Sequence, residues 1–252
     1  MGLITNESAG AGDQQLPEHD RARCRENWLA VQARVKAACQ QAGRAPESGR
    51  IVGVTKYVGL PATTALVEAG CHELGESRPQ ALWEKAAAFA GAGIAVRWHL
   101  IGHLQRNKVA RTLTCRPLVQ TLDSERLALA VDREAQASGH PCEVLVEVNL
   151  SQDTSRSGVA VTEVDALVKS VLALPGLRLR GLMGMASHPE AGIDPRQEFA
   201  RLRVLRDELA ERFPQAGGLT ELSMGMSGDF EAAILEGSTI IRIGSALFEG
   251  LR

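Results

Sequence analysis

No apolar run in this sequence approaches the roughly 18 residues that a membrane span needs. Residues 1–20 are polar and glycine-rich and lack the basic-then-apolar pattern of a secretory signal. Met1-Gly2 opens the chain, but Asn6 stands where a myristoylation motif wants Ser or Thr, so a lipid anchor is not expected. Charge of one sign is also missing. The formal net charge is -2, and no basic stripe carries interleaved aromatics, which leaves no electrostatic footprint for nucleic acid. Cysteines are few and scattered. Cys24, Cys39, Cys71, Cys115 and Cys142 are odd in number and never spaced as C-x-x-C, so neither structural disulfides nor a zinc site is expected. Buried free thiols explain them, and the expected location is the cytoplasm. There is a single tyrosine, Tyr57, and no Pro/Gly-rich linker to divide the chain.

What is present is an alternation. The 252 residues are 44% hydrophobic and 23% charged, enough for a sizeable core. After a segment 1–20 expected to be flexible, 21–42 reads as a helix, with Trp28, Leu29, Val31, Val35 and Ala38 at helical spacing. Strand-like runs follow at 51–55, 73–75, 96–101, 118–121, 144–149, 179–183, 221–224 and 240–243. Helical patterns separate them at 61–69, 79–90, 104–112, 124–137, 162–172, 195–213 and 229–236. Eight strands alternating with helices predict a parallel sheet closed into a (β/α)8 TIM barrel over residues 21–252, flanked by the extra N-terminal helix. An open doubly wound sheet is the alternative.

Barrel chemistry gathers at the carboxyl ends of the strands. Lys56, Glu76, Ser77, Gly102, His103, Asn149, Met185, Ser187, Ser227, Gly244 and Ser245 all fall there. Lys56 closes an apolar strand that should be interior, which would place its amine at the barrel mouth; a lone lysine at a strand end is otherwise a solvated group. Desolvation at such a mouth favours the neutral amine that Schiff-base chemistry requires. Ser223-Met224-Gly225-Met226-Ser227-Gly228-Asp229 offers hydroxyls and open backbone amides at the start of a helix, where the dipole would favour an anion. Taken alone it would be no more than a helix cap. In Arg242-Ile243-Gly244-Ser245, alternation points Arg242 and Gly244 to one side of the strand. An arginine inside the mouth needs an acceptor, either a ligand or an internal ion pair. An amine, a phosphate cradle and one arginine together suit a phosphorylated aldehyde, pyridoxal phosphate. His99 and His103 are four apart, but the strand before Gly102 argues against one helix through both, and with it against a metal.

The segments Val54-Thr55-Lys56, 99–108, Gly181-Leu182-Met183, 222–229 and 242–248 together resemble the pyridoxal-phosphate homeostasis protein family, single-domain relatives of the alanine racemase barrel. The resemblance implies that Lys56 holds the cofactor through a Schiff base. It also implies that Ser227, Gly244 and Ser245 bind its phosphate and that Arg242 faces the pyridine nitrogen. Ser77 and Ser223 complete the expected set of cofactor-binding residues. Ser77 stands where the family has asparagine, His103 where proline is common, and Arg156 where lysine is common.

The resemblance further implies a carrier rather than an enzyme with robust turnover. The related racemases use a tyrosine from an additional β-domain as second base. That domain is expected to be absent here, since Arg252 lies a few residues after the eighth strand. Tyr57 adjoins Lys56 and, on a continuing strand, would point to the opposite face. Arginine against the ring nitrogen makes the pyridine a poor electron sink. The expected partners are pyridoxal phosphate and apo-enzymes that accept it, and the expected state is a monomer or weak dimer. A weak amino-acid racemase and a Schiff-base aldolase acting on a phosphorylated sugar are the alternatives.

Overall fold

The computed structural model describes residues 15–251 except 152, 154, 189, 191, 215, 216 and 218. Eight parallel strands close on themselves. They are β1 (Arg50–Val54), β2 (Glu73–Glu76), β3 (Arg97–Leu100), β4 (Leu118–Leu122), β5 (Cys142–Asn149), β7 (Leu177–Gly184), β8 (Glu221–Ser223) and β9 (Ile240–Ile243). The order is β4-β3-β2-β1-β9-β8-β7-β5, and β4 pairs with β5 to complete the circuit. A two-residue strand, β6 (Val159–Ala160), is added beside β5 and was not expected from the pattern. The (β/α)8 barrel is therefore the fold, and the open sheet is excluded by the β4–β5 pairing.

The helices on the outer face are α2 (Leu60–Glu68), α3 (Pro79–Gly91), α4 (Val109–Leu113), α5 (Glu125–Ser138), α6 (Val164–Leu172), α7 (Pro195–Arg212) and α8 (Phe230–Leu235). The helix expected at 104–112 is a 3₁₀ turn, Arg106–Lys108, running into the five-residue α4. Such turns are common at helix starts. The first helix, α1 (Glu18–Gln41), begins inside the segment expected to be flexible, and Leu16 already packs on the core. Residues 1–14 lie outside the described residues. Along α1, Cys24, Trp28, Val31, Val35, Ala38 and Cys39 form the buried stripe. Leu29, expected in it, is 53% exposed, because it lies about 100° round the helix from Trp28.

Alternation along the strands sorts the apolar residues into two clusters. Ile241, Ile243 and Val119 join the large cluster between barrel and helices. Val52, Leu118, Leu145, Met183 and Ile240 form a small one of their own. The strand period of two assigns that second set to the barrel interior. The same period assigns Gln120 and Arg242, two positions past Leu118 and Ile240, to the interior as well. So the lumen is part apolar and part polar.

Candidate functional site

Residues nearly two hundred positions apart meet at the mouth because β1 pairs with β9, and β9 with β8. Gly53 lies opposite Ile243 in that register, so the turn after β9 begins beside the end of β1. A Cβ added at Gly244 would rest 3.5 Å from the Val54 Cβ, and the Gly244 amide donates to Ser227 Oγ at 3.4 Å. Lys56, Ser227, Gly244 and Ser245 thus lie on the loops of three adjoining strands. Ser77 follows β2 on the other side of Lys56. It lines a rim cleft of roughly 550 Å3 with Arg78, His103, Gln105 and Lys108, among others. Gly102 shapes that rim: a Cβ there would come within 2.2 Å of the Ser77 carbonyl oxygen, a distance no side chain tolerates.

The turn after β8 is held by the Asp229 side chain and by the next strand. Asp229 Oδ1 accepts from the Met226 amide at 2.5 Å, and the Arg242 amide donates to Gly225 O at 3.0 Å. Gly225 has φ +94°, and a Cβ on it would strike Ala233 at 2.6 Å, so the turn needs glycine there. Burial pushes the Asp229 carboxyl up, and the Met226 amide and Arg242 pull it back. The helix that follows, α8, has only six residues. The dipole expected to favour an anion is correspondingly small.

Lys56 is half-buried and not enclosed. The strand ends at Val54, so the backbone has already turned at Lys56 and Tyr57. The two side chains consequently share one side instead of pointing to opposite faces: Lys56 Nζ lies 4.9 Å from the centre of the Tyr57 ring, which is itself 89% exposed.

Below Lys56 is a second lysine. Lys85, on α3, is buried and donates from Nζ to Thr55 O (2.8 Å), Val58 O (2.9 Å) and Glu76 Oε1 (2.5 Å). Thr55 Oγ1 donates to the same carboxylate oxygen at 2.6 Å. Those three acceptors use all three ammonium protons. The sequence carried a signal for this residue: Pro79, Leu82, Lys85 and Phe89 are the buried face of α3, and Lys85 is the one charge among them.

Arg242 is 4% exposed and points into the lumen as expected. Its NH1 donates to Ser223 Oγ (2.6 Å) and its NH2 to Gly184 O (3.0 Å), which sets the plane of the guanidinium. Burial lowers its pKa to about 10, and Asp229 and Glu147 oppose the fall, so it stays charged near neutrality. Ser223 is fully buried and spends its hydroxyl on Arg242 and on Gln120 Oε1 (2.6 Å). It supports the arginine from beneath. Glu147, buried on β5, accepts from Ser157 Oγ at 2.5 Å; burial and Asp123 raise its carboxyl, and Ser157, Arg242 and His103 lower it.

Other strand-end residues are committed elsewhere. Ser187 gives its amide and hydroxyl to the Glu198 carboxylate at 2.6 and 2.8 Å. Asn149 and Arg156 hold the loop after β5 by bonds to Asp153 O, Arg156 O and Ala186 O. His99 and His103 diverge, as His99 bonds Glu73 inside the barrel and exposed His103 lies 3.8 Å from Asp123. Among the described residues, no group of three or more His, Cys, Asp or Glu is placed to hold a metal ion.

An amine, a hydroxyl–amide pair and a buried guanidinium converge on one mouth, a donor set that fits a phosphorylated aldehyde. Comparison with known proteins agrees. Residues 21–251 match the family model for the alanine racemase N-terminal domain. The chain is 35% identical over 225 residues to the pyridoxal phosphate homeostasis protein of Vibrio cholerae, covering 88% of this chain and 94% of that protein. A protein of unknown role from Bifidobacterium adolescentis has the same fold, with a TM-score of 0.85 and 34% identity, covering 93% and 98% of the two chains. PipY of Synechococcus elongatus, solved with pyridoxal phosphate bound, gives a TM-score of 0.74 at 30% identity, covering 85% and 99%.

Proposed function

We infer, from the premise that this chain belongs to the pyridoxal phosphate homeostasis protein family, that it binds pyridoxal 5'-phosphate and holds it for release, in vitamin B6 and amino-acid homeostasis. The observation that carries this is the adjacency of β1, β9 and β8, which brings Lys56, the Ser227–Gly244 pair and Arg242 to one mouth. When bound there, the cofactor supplies an aldehyde carbon that a lysine amine can capture reversibly.

Lys56 is the proposed point of attachment. Lys85 ties down the carbonyl groups on either side of it and so orients the loop that carries it. Ser227, Gly244 and Ser245 are proposed to offer a hydroxyl and backbone amides to the phosphate, with Ser77, after β2, proposed to approach from that side. Arg242 meets the ring nitrogen as a donor that keeps its proton, since its pKa of about 10 lies well above neutrality. Ser223 acts through Arg242.

The role proposed is a carrier without robust turnover. A permanently donating arginine leaves the pyridine a poor electron sink, and exposed Tyr57, although it stacks on Lys56, is not held as a base across the site. Cytoplasmic residence, a monomer or weak dimer, and transfer of cofactor to apo-enzymes complete the proposal. The free cysteines fit a reducing compartment, and no described helix is long and apolar enough to cross a membrane. The test incubates the loaded protein with each common L-amino acid and follows D-isomer, amine and keto-acid formation, with Lys56→Ala as control. Transfer to an apo-enzyme without such products is expected. Turnover that depends on Lys56 at about 1 s⁻¹, the low end of ordinary enzymes, would overturn the carrier reading in favour of catalysis.

A further inference from the structure

A chain of five side chains runs through the barrel interior, from Arg242 at the mouth to Glu73 at the opposite end. Arg242 NH1 donates to Ser223 Oγ at 2.6 Å, and Ser223 Oγ donates to Gln120 Oε1 at 2.6 Å. Gln120 Nε2 meets His99 Nδ1 at 2.9 Å, and His99 Nε2 meets Glu73 Oε2 at 3.0 Å. Ser223, Gln120 and His99 are each fully buried. Glu73 begins β2, at the end of the barrel away from Lys56, beside Arg50.

The chain has one consistent polarity. A guanidinium can only donate, so Ser223 Oγ accepts from it and passes its own proton to Gln120 Oε1. With its oxygen engaged, the Gln120 amide offers N–H to His99 Nδ1, which must be bare. The single proton of a neutral imidazole is then on Nε2, aimed at the Glu73 carboxylate. Turning the amide over would require a proton on Nδ1, and a neutral ring would then set a bare Nε2 against a carboxylate. A charged ring or a protonated Glu73 would escape that clash, but burial holds His99 below its ordinary pKa against the pull of Glu73, and His99, Arg50 and Arg97 hold Glu73 below its own against burial.

A polar chain is an expensive way to fill a lumen whose apolar residues are Val52, Leu118, Leu145, Met183 and Ile240. Apolar side chains would pack the same space without leaving donors at risk. What the chain accomplishes is directional: it holds Arg242 from below by a rigid series of bonds ending on a carboxylate. We propose that Ser223, Gln120 and His99 are positioning residues that aim the Arg242 guanidinium at the ring-nitrogen end of the cofactor, and that filling that end is felt at His99. The proposal rests on the pyridoxal phosphate reading of the mouth.

Imidazole ¹⁵N resonances test it, with His99 assigned by the signal lost in His99→Gln. In the cofactor-free protein at neutral pH, His99 should be neutral with its proton on Nε2. Adding pyridoxal phosphate should shift its ring nitrogens, although it does not touch the ligand. Gln120→Leu should weaken cofactor binding about 2- to 10-fold, the loss of one hydrogen bond between neutral groups, and move the visible absorbance of the bound cofactor. Gln120→His, which again offers one acceptor and one donor, should restore much of both. Should Gln120→Leu not fold, Ser223→Ala gives the same readout. Unchanged affinity and absorbance in both Gln120→Leu and Ser223→Ala, or a proton found on Nδ1 of His99, would overturn the relay while leaving cofactor binding intact. Failure of the wild-type protein to take up pyridoxal phosphate, with the Nε2–H ring still observed, would instead overturn the reading of the mouth.

Discussion

Lys85 and Lys56 are opposites held in one structure: Lys85 is bonded to the carbonyl groups of Thr55 and Val58, which bracket Lys56 in the chain. Lys85 has given all its protons to fixed acceptors and has no route to a ligand. Among the described residues Lys56 makes no such bonds; it lies half-buried at the mouth, with the Tyr57 ring against its amine. One lysine is a clamp and the other is left available.

Chemical labelling should distinguish them. Borohydride reduction of the loaded protein is expected to fix one pyridoxyl group on Lys56, as read by peptide mass spectrometry. The Lys56→Ala protein should take none and lose the visible absorbance of the bound cofactor. Label found mainly on Lys85, Lys108 or Lys169 would show that the attachment site has been misassigned.

Removing the clamp should cost stability first. Lys85→Ala leaves Glu76 buried without its counter-charge, and breaking a buried pair in this way typically costs about 3–5 kcal/mol. Urea denaturation is expected to show a loss of that order. The double variant Lys85→Met with Glu76→Gln should recover much of it, since no uncompensated charge remains. A single Lys85→Ala variant as stable as the wild type would mean that the pair holds nothing in place.

Phosphate recognition can be separated from aldehyde capture. If Ser227, Gly244 and Ser245 supply charge-assisted hydrogen bonds, each is worth about 1.5–3 kcal/mol. Pyridoxal lacking the phosphate should then bind far more weakly than the phosphorylated form, and Ser227→Ala should narrow the gap. Equal affinities in a spectral titration would remove the anion site from these turns.

His99 should imprint a pH dependence on stability. Its folded pKa lies below the ordinary histidine value because burial disfavours the charged ring, outweighing the Glu73 interaction. The unfolded chain therefore binds a proton near pH 6.5 that the folded protein resists. The stabilisation is fully present above about pH 6.5 and is lost progressively as the pH falls from there toward the lower folded value, at up to about 1.4 kcal/mol per pH unit. Denaturation midpoints from pH 8 to 5 should show this slope in the wild type and a shallower one in His99→Gln. Identical slopes would mean that His99 titrates as freely folded as unfolded.

The amino-acid sequence by itself determined the local elements and their faces. A strand period of two put Arg242 on the inner side of β9 and Ile243 on the outer, and the buried α1 stripe kept its helical spacing apart from Leu29. These are legible because each depends only on neighbours a few residues away. Which polar groups meet was decided by closure of the barrel. Ser223 and Gln120 are 103 positions apart and bond only because β4 and β8 both line a narrow lumen. The Lys56–Tyr57 stack was likewise hidden, since it depends on β1 ending at Val54, and so was the saturation of Lys85, a charge on an otherwise apolar helix face that acquires a purpose only from the carbonyl groups it meets. Long-range pairing carries no periodic signature along a chain, so the acceptors of a buried donor can be named only once distant strands are brought side by side.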